Sequence, residues 1–135
     1  MIRVLVVDDH DFVRLSVTSL LTLAGGIQVV GECADGTTVL TQATVRRPHV
    51  VLMDVQLPGR SGIEIARDLA ASHPAVRVLM VTGSPDRHWL LDSIAVGAAG
   101  HLLKSGDPAA LVDAVRVVAT GGSVWPDDRP RVSLV

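Results

Sequence analysis

Val50-Val51-Leu52-Met53-Asp54-Val55-Gln56-Leu57-Pro58-Gly59 is the stretch whose reading decides the fold. Four apolar residues in a row predict a strand buried on both faces, the pattern of a parallel sheet covered by helices. The run ends on a carboxylate. Leu57-Pro58-Gly59 must then be a loop, because proline lacks the N–H and glycine tolerates special backbone angles. Asp54 is therefore placed at the carboxyl end of a central strand, on the rim where open α/β sheets bind ligands.

Working outward, the chain alternates. Residues 2–7 are a β-branched run that also ends on carboxylates, Asp8 and Asp9. Asp9 or Asp11 is expected to cap a helix over 10–24, with Val13, Val17, Leu20, Leu21 and Ala24 inward and Gly25-Gly26 as its stop. A strand over 27–33 follows. Asp35-Gly36 then turns into a helix carrying Val39, Leu40 and Ala43, ended before Pro48. Beyond the opening stretch, Ser61-Gly62-Ile63-Glu64 is a capping box for a helix ended by His73-Pro74. Residues 76–82 read as a strand, and Ser84-Pro85 as the start of a helix with Trp89, Leu90, Leu91, Ile94 and Ala95. Residues 100–103 form a strand before Lys104. Asp107-Pro108 opens the last helix, closed by Gly121-Gly122. Five strands separated by helices imply parallel crossovers and a doubly wound α/β sheet, with the flavodoxin-like order 2-1-3-4-5 expected.

Composition bounds the function. A chain of 135 residues suggests one domain, and its only aromatics are Phe12, Trp89 and Trp125. The net charge of −2 offers no basic surface for nucleic acid. Cys33 stands alone, which excludes an internal disulfide framework. No apolar run reaches membrane-spanning length, and the amino terminus is too short for a signal peptide, so a cytoplasmic location is expected. Cys33 reads as a small core residue. His10, His49, His73 and His88 read as surface or cap residues, with no zinc spacing.

Parallel strands bring Asp8, Asp9, Asp54, Thr82 and Lys104 to one edge. Three carboxylates there repel one another unless a cation lies between them, and hard oxygen donors suit Mg²⁺. An ammonium and a hydroxyl beside that metal suit an anionic group. Together these groups describe phosphoryl transfer to an aspartate.

The pattern resembles the receiver domain of bacterial two-component response regulators. The resemblance covers residues 2–121 and rests on Val-Val-Asp-Asp-His at 6–10, Val-Leu-Met-Asp-Val-Gln-Leu-Pro-Gly at 51–59, Val-Thr at 81–82 and Gly-His-Leu-Leu-Lys at 100–104. The wording of Asp-Asp-His and of Gly-Ala-Ala-Gly-His-Leu-Leu-Lys is similar to the NarL/FixJ subfamily, usually joined to a LuxR-type helix-turn-helix. The resemblance implies that Asp54 accepts a phosphoryl group from a sensor histidine kinase. It implies Mg²⁺ held directly by Asp9 and Asp54, by Asp8 mainly through water, and by the Gln56 backbone carbonyl. Lys104 would pair with the phosphoryl oxygens, and Thr82 would bond one of them and draw its loop inward. Gln56 and Ser84 would tune phosphoryl lifetime. His101 stands where the family usually has a Tyr or Phe switch residue, and Ser105 stands where many receivers have a cis-proline.

The implied function is a signalling switch rather than an enzyme on other substrates: a phosphoacceptor with its own Mg²⁺-dependent phosphorylation and dephosphorylation. A homodimer on phosphorylation is expected, with DNA reached only through a helix-turn-helix domain that the chain lacks, and no membrane partner. An aspartate-nucleophile phosphatase would need a second Asp where Gln56 stands. A flavin site would not tolerate Asp8 and Asp9 beside its phosphate. A stand-alone receiver acting by protein contact is the alternative output. Residues 1–121 are expected to form the receiver domain, and 122–135 a flexible linker or tail contributing little to the fold.

Overall fold

The computed structural model describes residues 1–84 and 86–126. Among these, the strands are β1 (Ile2–Val7), β2 (Ile27–Cys33), β3 (Val50–Asp54), β4 (Arg77–Thr82) and β5 (Gly100–Leu103). They alternate with α1 (Asp11–Leu23), α2 (Val39–Arg46), α3 (Gly62–Ser72), α4 (Arg87–Ala95) and α5 (Pro108–Ala119). The sheet runs β2-β1-β3-β4-β5 and every neighbouring pair is parallel. The doubly wound sheet expected from the alternation is observed, in the flavodoxin-like order common to five such units.

The uninterrupted apolar run of β3 has a direct cause. Successive side chains point to opposite faces, and both faces are covered. Val51 and Met53 pack into one core with Val39, Ile65 and Leu69 from α2 and α3. Val50 and Leu52 pack into the other with Leu21, Val115 and Val118 from α1 and α5. α4 is the least committed helix: Leu90 and Ser93 are buried, while Leu91, Ile94 and Ala95 from its expected apolar set are exposed.

Several caps match expectation. Ser61 accepts from the Glu64 N–H, the first half of the expected capping box, while the Glu64 carboxylate pairs with Arg60; Asp107 accepts from Ala109 N–H with Pro108 opening α5. Asp35 caps a 3₁₀ turn over Gly36–Thr38 that leads into α2. Two differ. α4 is capped by Asp86, which accepts from His88 N–H, and the Ser84 hydroxyl instead accepts from Asp86 N–H at 3.3 Å. Pro85 lies outside the described residues. α1 takes neither Asp9 nor Asp11 as its cap: His10 occupies that position without a side-chain cap bond, and Asp11 sits in the first turn. Asp9 stands instead in the acidic cluster described below, and Asp11 pairs with Arg14.

The boundary expected after residue 121 also moves. Val124 bridges Gly100 in parallel, donating to Ala99 O at 3.1 Å and accepting from His101 N–H at 2.9 Å. Its side chain joins the α1/α5 core. The structure therefore extends past the expected boundary at least to Val124, and the rest of the expected tail from 127 to 135 lies outside the described residues.

Gly62 shows how closely α3 approaches the end of β3. Its N–H donates to Val55 O at 2.8 Å, and a Cβ there would overlap the Asp54 carbonyl oxygen and meet Met53 Cγ at 3.0 Å. Gly62→Ala is expected to destabilise the fold by about 1–3 kcal/mol through overpacking against backbone, read as a lower urea midpoint at unchanged slope. Ending the chain after Gly122 removes both Val124 backbone bonds and its packing. The melting temperature should then fall by about 3 °C or more; an unchanged melt would mean that the bridge contributes nothing.

Candidate functional site

Strand register assembles the site. Val7 pairs with Met53 and Thr82 with Leu103, so Asp8 and Lys104 follow directly on paired positions and flank the end of β3. Asp8 is held from several sides. Its N–H donates to Cys33 O, its carbonyl accepts from Arg14 Nη1 at 2.7 Å, and its Oδ1 accepts from His10 N–H at 2.8 Å. Arg14 is tied in turn to Asp11 and Glu32.

The Lys104 ammonium sits between two carboxylates, 2.8 Å from Asp8 Oδ2 and 2.9 Å from Asp54 Oδ2. Asp54 is only 3% exposed, and its Oδ1 accepts from Gln56 N–H at 3.1 Å. Burial raises the Asp54 pKa, aided by the Asp8 charge, and the Lys104 contact only partly offsets this. Burial works against the Lys104 ammonium as well, yet its bonds to Asp8 and Asp54 prevail and its pKa is raised.

Asp8, Asp9, His10 and Asp54 each offer one donor atom, all within 4.8 Å of one another. Asp9 Oδ1 is buried and accepts no hydrogen bond among the described residues. His10 Nδ1 lies 3.1 Å from it, close enough for attraction but outside hydrogen-bond geometry. A buried carboxylate oxygen left unsatisfied is costly unless a cation meets it. Hard oxygens facing one point fit a divalent ion.

Thr82 is fully buried. Its hydroxyl accepts from Ser84 N–H at 3.1 Å, and its carbonyl accepts from Lys104 N–H at 2.8 Å. Its backbone is thus tied to Lys104, while the hydroxyl bonds within its own loop. Gln56 is exposed, and the Ser84 hydroxyl accepts from Asp86 N–H instead of meeting the acidic cluster.

His101 is turned inward, 3% exposed, with Nδ1 at 2.9 Å from Ser93 Oγ. Ser93 spends its one hydrogen on Trp89 O at 2.7 Å, so it must accept from His101 and Nδ1 carries a proton. Ser93, Arg14 and His10 are the contributors that sequence reasoning did not place in the site. Only His10 had a signal, its position directly after Asp8-Asp9.

The profile of response regulator receiver domains matches residues 4–116. The response regulator GacA of Pseudomonas protegens is 44% identical over 121 residues, covering 90% of this chain and 57% of its own length. The DNA-binding transcriptional activator DevR/DosR of Mycobacterium tuberculosis is 35% identical, covering 100% of this chain and 62% of its own. The chain thus spans little more than half the length of these relatives. Among solved structures, the signal receiver domain of NarL from M. tuberculosis superposes with a TM-score of 0.85 at 34% identity, covering 89% of this chain and 97% of that one. A LuxR-family two-component response regulator from Aurantimonas sp. SI85-9A1 gives 0.89 at 34% identity, over 93% and 90%. No helix among the described residues is long and apolar enough to cross a membrane. Matched in sequence over residues 4–116 and in backbone by these solved structures, the chain belongs to the receiver domains of two-component response regulators, of the NarL/LuxR type.

Proposed function

We propose that this domain accepts a phosphoryl group on Asp54 from the phosphohistidine of a sensor histidine kinase, with Mg²⁺ in the acidic pocket. The observation that carries the reading is the Lys104 ammonium shared by Asp8 and the buried Asp54. An Asp54 carboxylate oxygen forms the new O–P bond as the P–N bond of the donor breaks. The donor nitrogen keeps the electron pair and takes a proton from solvent. Lys104 is already within reach of an Asp54 oxygen and so of the phosphoryl oxygens that would attach there. Asp8, Asp9, Asp54 and the Gln56 carbonyl would hold Mg²⁺, which supplies charge neutralisation at those oxygens. Thr82 Oγ1, though it accepts one hydrogen bond, keeps its own hydrogen to donate to the phosphoryl group. Gln56 and Ser84 would border the path of the water that later hydrolyses the acyl phosphate.

The output proposed is transcriptional. The phosphorylated domain would pair with a second copy, and a DNA-binding domain of a longer cytoplasmic protein would read that change. Support comes from the curated relatives, one of which is described as a DNA-binding transcriptional activator. The chain acts here as a phosphoacceptor, not as an enzyme turning over other substrates.

With Mg²⁺ and acetyl phosphate, intact-mass analysis should show a single phosphoryl adduct, absent from Asp54→Asn. An adduct forming on Asp54→Asn at the wild-type rate would refute the assignment. Mg²⁺ should also raise thermal stability by mass action, by about 2.7 kcal/mol at a hundredfold excess over Kd. Asp9→Ala should lose most of that gain; an equal gain would place the ion elsewhere.

A further inference from the structure

We propose that the amino-terminal edge of the sheet, at the far end of the strands from Asp54, is a docking surface for an acidic, leucine-bearing segment of a partner protein, with Arg46 and Arg47 as its leading charges.

The net charge of −2 conceals a segregation. Residues 1–3, 23–28, 45–50, 72–77, 96–100 and 116–122 form the turns and strand starts at this edge, and they contain no Asp or Glu. They carry Arg3, Arg46, Arg47, Arg77 and Arg116, five of the 12 lysines and arginines of the chain. None of the five meets a carboxylate among the described residues, whereas Arg14, Arg60 and Lys104 each meet two. Hydrogen bonds knit the edge into one surface. Arg3 Nε donates to Arg47 O at 2.8 Å, and Arg3 N–H to His49 Nδ1 at 2.8 Å. Arg77 N–H donates to His49 O at 3.1 Å. Arg77 Nη2 donates to Gly121 O at 2.8 Å, and Arg116 Nη2 to Ala24 O at 2.9 Å. His49 registers the local field: burial, and then the Arg3 charge, lower its pKa.

Part of this arrangement is structural. Carbonyls left over at helix ends attract cations, and Arg3, Arg77 and Arg116 each spend a donor on such a carbonyl. Arg47 has no such reason. It follows the last residue of α2 with φ 49°, and among the described residues it is the only non-glycine with positive φ. Glycine is the ordinary residue there, because a Cβ makes left-handed backbone costly. The Arg47 side chain is exposed, and no hydrogen bond or ion pair holds it among the described residues. The fold thus bears a strained arginine whose side chain it does not use. Arg46 is tied only to Gln42 of its own helix.

The neighbours select the partner. Guanidinium forks meet carboxylates with two parallel bonds. Leu23 ends α1 at 87% exposure, and Val45 precedes Arg46 at 65%. Aliphatic side chains gain from burial against leucine and gain nothing against a sugar-phosphate backbone. An acidic segment with leucines therefore suits this edge better than nucleic acid does. Docking here would leave Asp54 open to phosphorylation at the other end of the strands.

Fluorescence anisotropy of the full chain with a labelled peptide, in which leucine follows every second glutamate, tests the surface. Wild type should bind the peptide, and more weakly as salt rises. Arg47→Gly should weaken binding about threefold, and Arg46→Glu combined with Arg47→Glu at least about tenfold. Arg47→Gly should melt no lower than wild type, since glycine suits that backbone, and should take the phosphoryl group from acetyl phosphate at the wild-type rate. Amide resonances moved by the peptide should cluster at residues 3, 46–49 and 77. No binding by wild type, unchanged affinity in both variants, or shifts centred on the carboxyl edge overturns the proposal. Tighter binding of a DNA duplex than of the peptide gives the edge to nucleic acid and overturns it as well. A lower melting temperature for Arg47→Gly would give that side chain a structural role and overturn its place in the docking surface.

Discussion

The ammonium of Lys104, held 2.8 and 2.9 Å from two carboxylates of neighbouring strands, is the contact on which the rest of the site depends. Asp8 and Asp54 end adjacent strands because Val7 and Met53 are in register. Register is dictated by burial, since a slip of one residue would turn every core side chain of β3 outward. The same packing that stabilises the sheet therefore forces like charges together. Lys104 offsets that repulsion, but not fully: burial still leaves Asp54 harder to ionise than an ordinary carboxylate. Removing one partner of such a buried pair typically costs 3–5 kcal/mol, while a well-packed apolar substitute is often neutral or stabilising. The cluster is thus poorly explained as a stability device and well explained as a site kept ready for charge.

A second constraint is backbone proximity. α3 must start almost against the Asp54 carbonyl, and only glycine at position 62 allows it. On the other side, Arg14 holds the Asp8 carbonyl from α1 while bridging to Glu32 on β2. The rim carboxylates are thereby fixed by groups whose own positions are set by helix packing, the arrangement that keeps a site within tight tolerance.

Much of this was legible in the sequence because it is written in periodicity. Four apolar residues before Asp54, strand ends on Asp8, Thr82 and Lys104, and caps at Ser61 and Asp107 all follow local rules. What escaped was settled by competition or by long-range contact. Ser84 and Asp86 are both good caps by residue type, and it is Asp86 that accepts from His88 N–H at the start of α4. Asp9 could have capped α1, but it stands in the acidic cluster instead. The inward setting of His101 depends on Ser93, eight positions earlier on α4, which carries no pattern of its own. Val124 joins the sheet by a single bridge, too short to leave a period.

That bridge bears on how the sheet meets other molecules. β5 is the outermost strand on its side, and an outermost strand offers open N–H and C=O groups to any extended chain that drifts past. Here the Ala99 carbonyl and the His101 N–H are already occupied by Val124. Gly100 lets that segment come so near that a methyl group would strike the Val124 carbonyl oxygen at 2.6 Å. The domain thus seals part of its own margin, so that strand-to-strand aggregation along β5 would first have to peel this segment away.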